Sequence, residues 1–308
     1  MQVFTKVKPV TFEESQLKPS IMKYIYTLAL LSFSLIACAQ GRFDGVEITI
    51  VPAGENVYML TGAGGNIGIS TGEDGVFMID DQFAPLSEKI IAAIKTISDK
   101  PLKFLVNTHF HGDHTGGNTN FAKTGAMIVA HENVRKRLSE NEDASGLPVI
   151  TFSEDATFYM NDNDIFITHV HHAHTDGDAL VYFAQSNVLH TGDTFFNGRF
   201  PYIDINRGGS IDGDIEAAKK GLMLVNDDTK IIPGHGKIGT KADYQNYLEM
   251  LIEIRTSIQE AINQGKTEEE VTNMESLTSK FFTDEATAKE FISGPKMRAT
   301  VYKSLMKH

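Results

Sequence analysis

The sequence predicts an α/β protein. Three observations carry that prediction. Short apolar runs rich in β-branched and aromatic residues recur along the chain at strand length, and amphipathic helical stretches lie between and after them. His, Asp and Gly residues gather where apolar runs give way to turns, the place where an α/β scaffold presents its chemistry. In order, strands are expected over 46–52, 55–61, 66–70 and 75–80, with Gly62-Ala63-Gly64-Gly65-Asn66 as a hairpin tip. Ala84–Ser98 reads as a helix with Leu86, Ile90, Ile91 and Ile94 on one face. Strands follow at 102–107, 126–130, 148–152, 155–160, 163–169, 179–184 and 187–191, and a last one ends at Ile231-Ile232. Ile215–Val225 and Lys241–Asn263 read as helices. The second carries a core-facing stripe of Tyr244, Tyr247, Leu248, Leu251, Ile252 and Ile254. Thr267-Glu268-Glu269-Glu270 marks a further helix start, with acids placed favourably in the first turn.

The chemistry concentrates in His109-Phe110-His111-Gly112-Asp113-His114, directly after the strand at 102–107. His109 and His111, two apart in an extended segment, project to one side and can share a metal ion; Asp113 and His114 on the next turn can reach a second ion. Neutral imidazole and carboxylate suit borderline ions such as zinc. One such loop cannot complete a site, because each catalytic metal needs about three protein ligands. Three later segments supply candidates: His174 within Ala173-His174-Thr175-Asp176-Gly177-Asp178, Asp193 within Leu189-His190-Thr191-Gly192-Asp193, and His235 within Ile231-Ile232-Pro233-Gly234-His235-Gly236. His131, His169, His171, His172 and His190 have no place in this pattern and read as packing, pocket-wall or surface residues.

These four segments, in this order, resemble the metallo-β-lactamase superfamily of zinc hydrolases, from Val46 to Gly236. The resemblance implies a four-layer αβ/βα sandwich with two Zn2+ ions at one end of two facing sheets. By that resemblance His109, His111 and His174 hold the first ion, Asp113, His114 and His235 the second, and Asp193 bridges both. Asp80, at the end of Val76-Phe77-Met78-Ile79, matches the family aspartate that orients a ligand histidine. Asp81 stands beside it, and either could instead cap the following helix.

The implied reaction is hydrolysis by a metal-bridged hydroxide, with Asp113 as the orienting catalytic group. The one cysteine, Cys38, lies in the leader, so thiol catalysis is excluded. A small carbonyl substrate is expected, with a β-lactam or lactone-like ring first. Asp193 weakens the β-lactam assignment, since the best-known β-lactamase subclasses carry Cys or Ser there. The alternatives are a thioesterase of the glyoxalase II kind or an accessory hydrolase for a quinoprotein. A mono-iron persulfide dioxygenase and a non-enzymatic binding lipoprotein rank behind these. Substrate contacts are expected from Arg199, Phe195, Phe196 and Asn66, the last on a loop that family members often use as a flap; a loop arginine, two core phenylalanines and a simple turn are the alternatives.

Met22–Cys38 reads as a bacterial export signal, with a short basic start and an apolar stretch too short to span a bilayer. Met22 is the expected true start, residues 1–40 form the extension and leader, and 41–308 form one hydrolase domain with C-terminal helices. Leu35-Ile36-Ala37-Cys38 resembles a lipobox, which gives a lipid anchor at Cys38 in the periplasm or outer membrane. Cleavage after Ala39 would instead free a soluble secreted protein starting at Gln40. Beyond residue 37 the chain holds 24 basic and 38 acidic residues, net −14. Such a surface repels phosphates, so nucleic acid is not an expected partner.

Overall fold

Side chains along a strand alternate between faces, and here that alternation builds two sheets with a shared interior. The computed structural model describes residues 41–140 and 144–307. Strands β1 (Thr49–Gly54), β2 (Val57–Thr61), β3 (Ile67–Ser70), β4 (Val76–Ile79), β5 (Leu102–Asn107), β6 (Met127–His131) and β7 (Ile150–Phe152) form the first sheet in chain order. The pairs from β1 to β4 are antiparallel, and those from β4 to β7 are parallel. Parallel neighbours need crossovers, and α1 (Ser87–Lys95), α2 (Gly112–Thr115), α3 (Asn118–Lys123) and α4 (Glu132–Leu138) lie in them.

The second sheet has the order β12-β11-β10-β9-β8, from β8 (Asp155–Met160), β9 (Asn163–His169), β10 (Ala179–Phe183), β11 (Val188–His190) and β12 (Lys230–Ile232). Its one parallel pair, β11 with β12, is bridged by α5 (Ile211–Leu224). Helices α6 (Lys241–Asn263), α7 (Glu268–Thr272), α8 (Asp284–Thr287) and α9 (Gly294–Met306) complete the chain. Phe77, Ile79, Val106 and Val129 of the first sheet meet Ile165, Ile167, Val181, Phe183 and Ile232 of the second in one core. Leu180, Leu189 and Ile231 point the other way, into a second core with α5, α6 and α9. Met78, Leu105 and Ile128 are equally buried on the outer face of the first sheet. The central strands of both sheets are thus covered on both faces, while the outer face of β8 and β9 stays open, with Tyr159 and Phe166 exposed.

The element bounds differ from expectation in a few places, each with a local cause. The first strand begins at Thr49, not 46. The helix expected over 84–98 opens as a 3-10 turn at Ala84–Leu86, which contains Pro85, and ends at Lys95. Helix α5 starts four residues before Ile215 because Ser210 caps it, its hydroxyl accepting from Gly213 N at 3.0 Å. Helix α6 has the expected bounds and a Thr240–Asp243 capping box. Its stripe is buried except for Ile252, which is 40% exposed and lies off the core face. Residues Val46–His308 are one compact unit. The export leader, Cys38 and the start at Met22 lie outside the described residues, among which no helix is long and apolar enough to cross a membrane.

The C-terminal segment is held by Arg298, a fully buried guanidinium. It donates twice to Asp284 (2.8 Å each), twice to Thr272 O (2.9 and 2.8 Å) and once to Thr278 Oγ1 (2.6 Å). Every polar edge of the fork is used, the condition under which a buried cation is tolerated. Asp284→Ala leaves that cation without its counter-charge and should cost about 3 kcal/mol, read as a lower urea midpoint; an unchanged midpoint contradicts this account.

Between the sheets, the rings of His131 (end of β6) and His169 (end of β9) stack at 3.8 Å. Burial lowers both pKa values, that of His169 from 6.5 to about 4. Glu132, Glu154 and Asp176 pull the other way, and His171 adds to the depression at His169. A histidine depressed in the folded state binds fewer protons there than when unfolded. Its stabilisation is therefore complete above pH 6.5 and is lost as pH falls through about 4. Thermal melts from pH 7 to 4.5 should show a falling midpoint, with a shallower fall in His169→Gln. Parallel curves would contradict the assignment.

Candidate metal centre

Segments following β4, β5, β9, β11 and β12 converge at one end of the sheets. The parallel pairing of β4 with β5 carries Asp80 beside Thr108: Asp80 Oδ1 accepts from Thr108 N and Oδ2 from Thr108 Oγ1, both at 2.7 Å. The same Oδ2 faces His114 Nδ1 at 2.7 Å. A reciprocal amide pair, Asn107 with Asn118 at 3.0 and 2.9 Å, closes the intervening loop against α3. Neighbouring Asp81 takes a different task, accepting from Gly117 N at 2.8 Å.

Asp193 sits at the centre. Its Oδ2 lies 3.3 Å from His235 Nε2, 3.6 Å from His174 Nε2 and 3.9 Å from His109 Nε2, and its Oδ1 lies 3.1 Å from His114 Nε2. Asp113 Oδ2 is 3.4 Å from His235 Nε2 and 3.7 Å from His114 Nε2. The side chains fall into two groups: His109, His111, His174 and Asp193, and Asp113, His114 and His235. Within each group the ligand atoms lie within 4.8 Å of one another. His109, His114, His174 and Asp193 are buried, while His111, Asp113 and His235 are half-buried and form the open side.

The outward hydrogen bonds fix which ring nitrogens carry protons. His174 Nδ1 donates to Tyr202 O at 2.6 Å, and His111 Nε2 to Asp204 Oδ2 at 3.0 Å. His109 Nδ1 meets Thr108 Oγ1 at 3.1 Å, whose own proton is committed to Asp80. These bonds leave His111 Nδ1 and His174 Nε2, 2.8 Å apart, facing each other as lone pairs. Two lone pairs that close repel unless a cation lies between them. His109 Nε2 is also buried with no hydrogen-bond partner among the described residues, and buried His114 Nε2 and Asp193 Oδ1 have only their mutual contact at 3.1 Å. Such orphaned atoms are costly when nothing satisfies them. The donor set fits metal ions.

The electrostatics agree. Burial holds His109 well below the usual histidine value and His174 at about 4, so both are neutral, as ligands must be. Burial also opposes charge on His235 and His114, but the carboxylates outweigh it. Asp193 and Asp113 raise His235 to about 9; with Asp80 they also lift His114 well above the usual value. For Asp193 burial favours the acid, yet His114 and His235 keep it well below the usual carboxylate range. The pocket is a concentrated negative site that protons or divalent cations can neutralise.

Two glycines let the backbone approach. A Cβ on Gly65 would lie 2.1 Å from the His114 ring, and one on Gly234 would lie 2.0 Å from Asp193 Oδ1. The hairpin tip that carries Gly65 is hydrogen-bonded to its surroundings. Gly65 N donates to Asp113 O, and Gln82 Nε2 donates to Gly65 O.

The expected substrate contacts fare unevenly. Asn66 is buried, and its amide donates to Pro233 O at 2.8 Å and Gly236 O at 2.9 Å, so it holds the His235 loop and has no proton left for substrate. Phe195 packs in the helical core against Tyr244 and Tyr247, at 4.8 and 5.1 Å, away from the open side. Phe196 stacks on His235 at 5.0 Å and forms a wall. Arg199 is exposed and faces Glu290 at 3.9 Å. His171 and His172 stay outside the cluster, near Glu154 and Gly208 O. His190 is buried beneath it, against Asn66 O. Sequence reasoning missed Thr108, Tyr202 and Asp204. They act through hydrogen bonds on ligand histidines, and no spacing rule marks them.

Comparison with known proteins agrees with this geometry. The metallo-beta-lactamase superfamily profile matches residues 51–235. A hydroxyacylglutathione hydrolase of Prochlorococcus marinus is 32% identical over 145 residues, 44% of this chain and 51% of that protein. One from Pelagibacter ubique is 29% identical over 150 residues, 46% and 56% of the two chains. The chain thus spans about half the length of these relatives. Among solved structures, a metallo-beta-lactamase from Pontibacter korlensis superposes with a TM-score of 0.60 at 21% identity, covering 67% of this chain and 99% of that one. With a profile match over most of its length, built around the two sheets and the His/Asp cluster, the chain belongs to the metallo-beta-lactamase superfamily of metal-dependent hydrolases.

Proposed function

We propose that the protein hydrolyses a small thioester or lactone at a pair of Zn2+ ions. His109, His111 and His174 would hold one, Asp113, His114 and His235 the other, and Asp193 both. The observation that carries this reading is the placement of Asp193, whose two oxygens reach nitrogens of both groups at 3.1–3.9 Å. Bound there, the ions would supply Lewis acidity, lowering the pKa of water and polarising a substrate carbonyl. The chain's own part is positional. Asp113 stands on the open side and is the carboxylate placed to take the proton from attacking water and return it to the leaving thiolate or alkoxide. The buried His109, His114 and His174 exclude bulk water from the inner side. Phe196, stacked on His235, and Tyr202, 5.7 Å from His111, wall the approach.

The relatives named as hydroxyacylglutathione hydrolases favour a thioester. The aspartate at 193 places β-lactams behind it, and the likeness to β-lactamase structures at 21% identity bears on fold alone. The leader supports a periplasmic or membrane-anchored location, which lipid labelling at Cys38 would test. The net charge of −14 beyond residue 37 supports small-molecule substrates over nucleic acid.

The test is turnover of a hydroxyacylglutathione thioester, a lactone and nitrocefin by protein starting at Gln40, with metal content measured. Chelator-sensitive turnover of the thioester or lactone at about two zinc ions per chain is expected. No turnover of either substrate by fully loaded protein overturns the reading. His111→Ala and Asp113→Ala should each lower kcat/KM by about 10²–10⁴-fold with near-unchanged circular dichroism. Full activity in either variant removes that residue from the site.

A further inference from the structure

Two buried carboxylates stand behind the candidate ligands, and their direct contacts with ligand histidines go to different groups. Asp80 meets His114 directly, in the group with Asp113 and His235, and reaches His109 only through Thr108. Asp204 faces only His111, in the group with His109 and His174. We propose that Asp204 is a positioning residue that sets the metal affinity of the His109–His111–His174 group separately from that of the Asp113–His114–His235 group. This rests on the two-metal reading above.

The geometry singles out His111 as the ligand in need of support. His109 and His174 are fully buried and held by their surroundings, whereas His111 is half-buried on the open side. It also presents Nδ1, with Nε2 turned outward. On that outward side Asp204 Oδ2, at 3.0 Å, is the group that fixes the tautomer and, as an anion, makes Nδ1 a stronger donor. Asp204 is itself buried and fixed. Its Oδ1 accepts from Arg207 N at 3.2 Å, and its backbone N donates to His174 O at 2.9 Å.

Asp204 belongs to a strap, residues 202–210, laced to the His174 loop. Tyr202 O accepts from His174 Nδ1, Ser210 N donates to Ala173 O at 2.9 Å, and Ser210 Oγ donates to His172 O at 2.8 Å. The strap is pressed so closely that a Cβ on Gly209 would lie 2.3 Å from His174 O. One short segment thus orients two of the three histidines of the first group, and no hydrogen bond from it reaches Asp113, His114 or His235.

The experiment titrates metal-free protein with Co2+, followed by visible absorption, and with Zn2+ against a chromophoric chelator. Asp204→Ala should weaken one of the two bound ions by about 10–100-fold and leave the other within about twofold. Asp204→Asn keeps the shape and an acceptor oxygen without the charge, so its effect should be smaller and at the same site. Circular dichroism of the metal-free variants checks folding, and the Asn variant carries the test if Ala does not fold. Equal weakening of both ions, or of neither, overturns the proposal. Wild-type protein that binds a single ion overturns the two-metal reading, and the division between sites with it.

Discussion

The candidate centre depends on one buried carboxylate at the end of a strand. Asp80 has no solvent exposure and a positive φ of 59°, a backbone state that costs a residue with a Cβ about 1 kcal/mol. A carboxylate so placed persists only if its oxygens are filled. Thr108 N, Thr108 Oγ1 and His114 Nδ1 fill them, while Asp80 N donates to Val106 O and extends the pairing of β4 with β5. The parallel sheet therefore sets the distance from the strand end to the His114 ring, and through Thr108 it also sets the His109 ring. The rest of the cluster is assembled around those two fixed histidines.

The polar groups form a graded arrangement. Deepest are Asp80 and the neutral histidines, each with its outward nitrogen engaged; Asp193 comes next, and Asp113, His111 and His235 lie nearest the open side. Acceptors behind the rings decide tautomers, and carboxylates among the rings decide where positive charge is wanted. Glycines at 65 and 234 provide the close backbone approach that this density requires. Hydrogen bonds tie the surrounding loops together: Asn66 holds the His235 turn, and Gln82 holds the hairpin tip.

Much of this was legible in the sequence, for identifiable reasons. Strand alternation and the apolar stripe of α6 are periodic signals that mark the strands and that helix to within a few residues, while the division into two sheets is what the resemblance implies. The seven candidate ligands stand at strand ends in a fixed order, and the structure brings all seven together. What escaped is contact between segments distant in sequence. Asp204 lies 93 residues from His111 and resembles any loop aspartate. Asn66 follows a run of glycines and Phe195 stands two residues after Asp193, a sequence context that points to substrate contact. Their side chains instead turn to backbone carbonyls and to the helical core, a choice made by packing and invisible to local pattern.

Phe291, 70% exposed, meets Tyr202 edge-on at 5.5 Å, and Tyr202 in turn adjoins His111 and His174. This aromatic lies in the C-terminal segment, beyond the stretch at 51–235 that the superfamily profile matches. The same segment is pinned by the Arg298–Asp284 pair. A ring from outside the matched stretch therefore packs on the residue that borders two candidate ligands. A substitution at Phe291 would change the packing around Tyr202 while leaving the seven candidate ligands themselves unaltered.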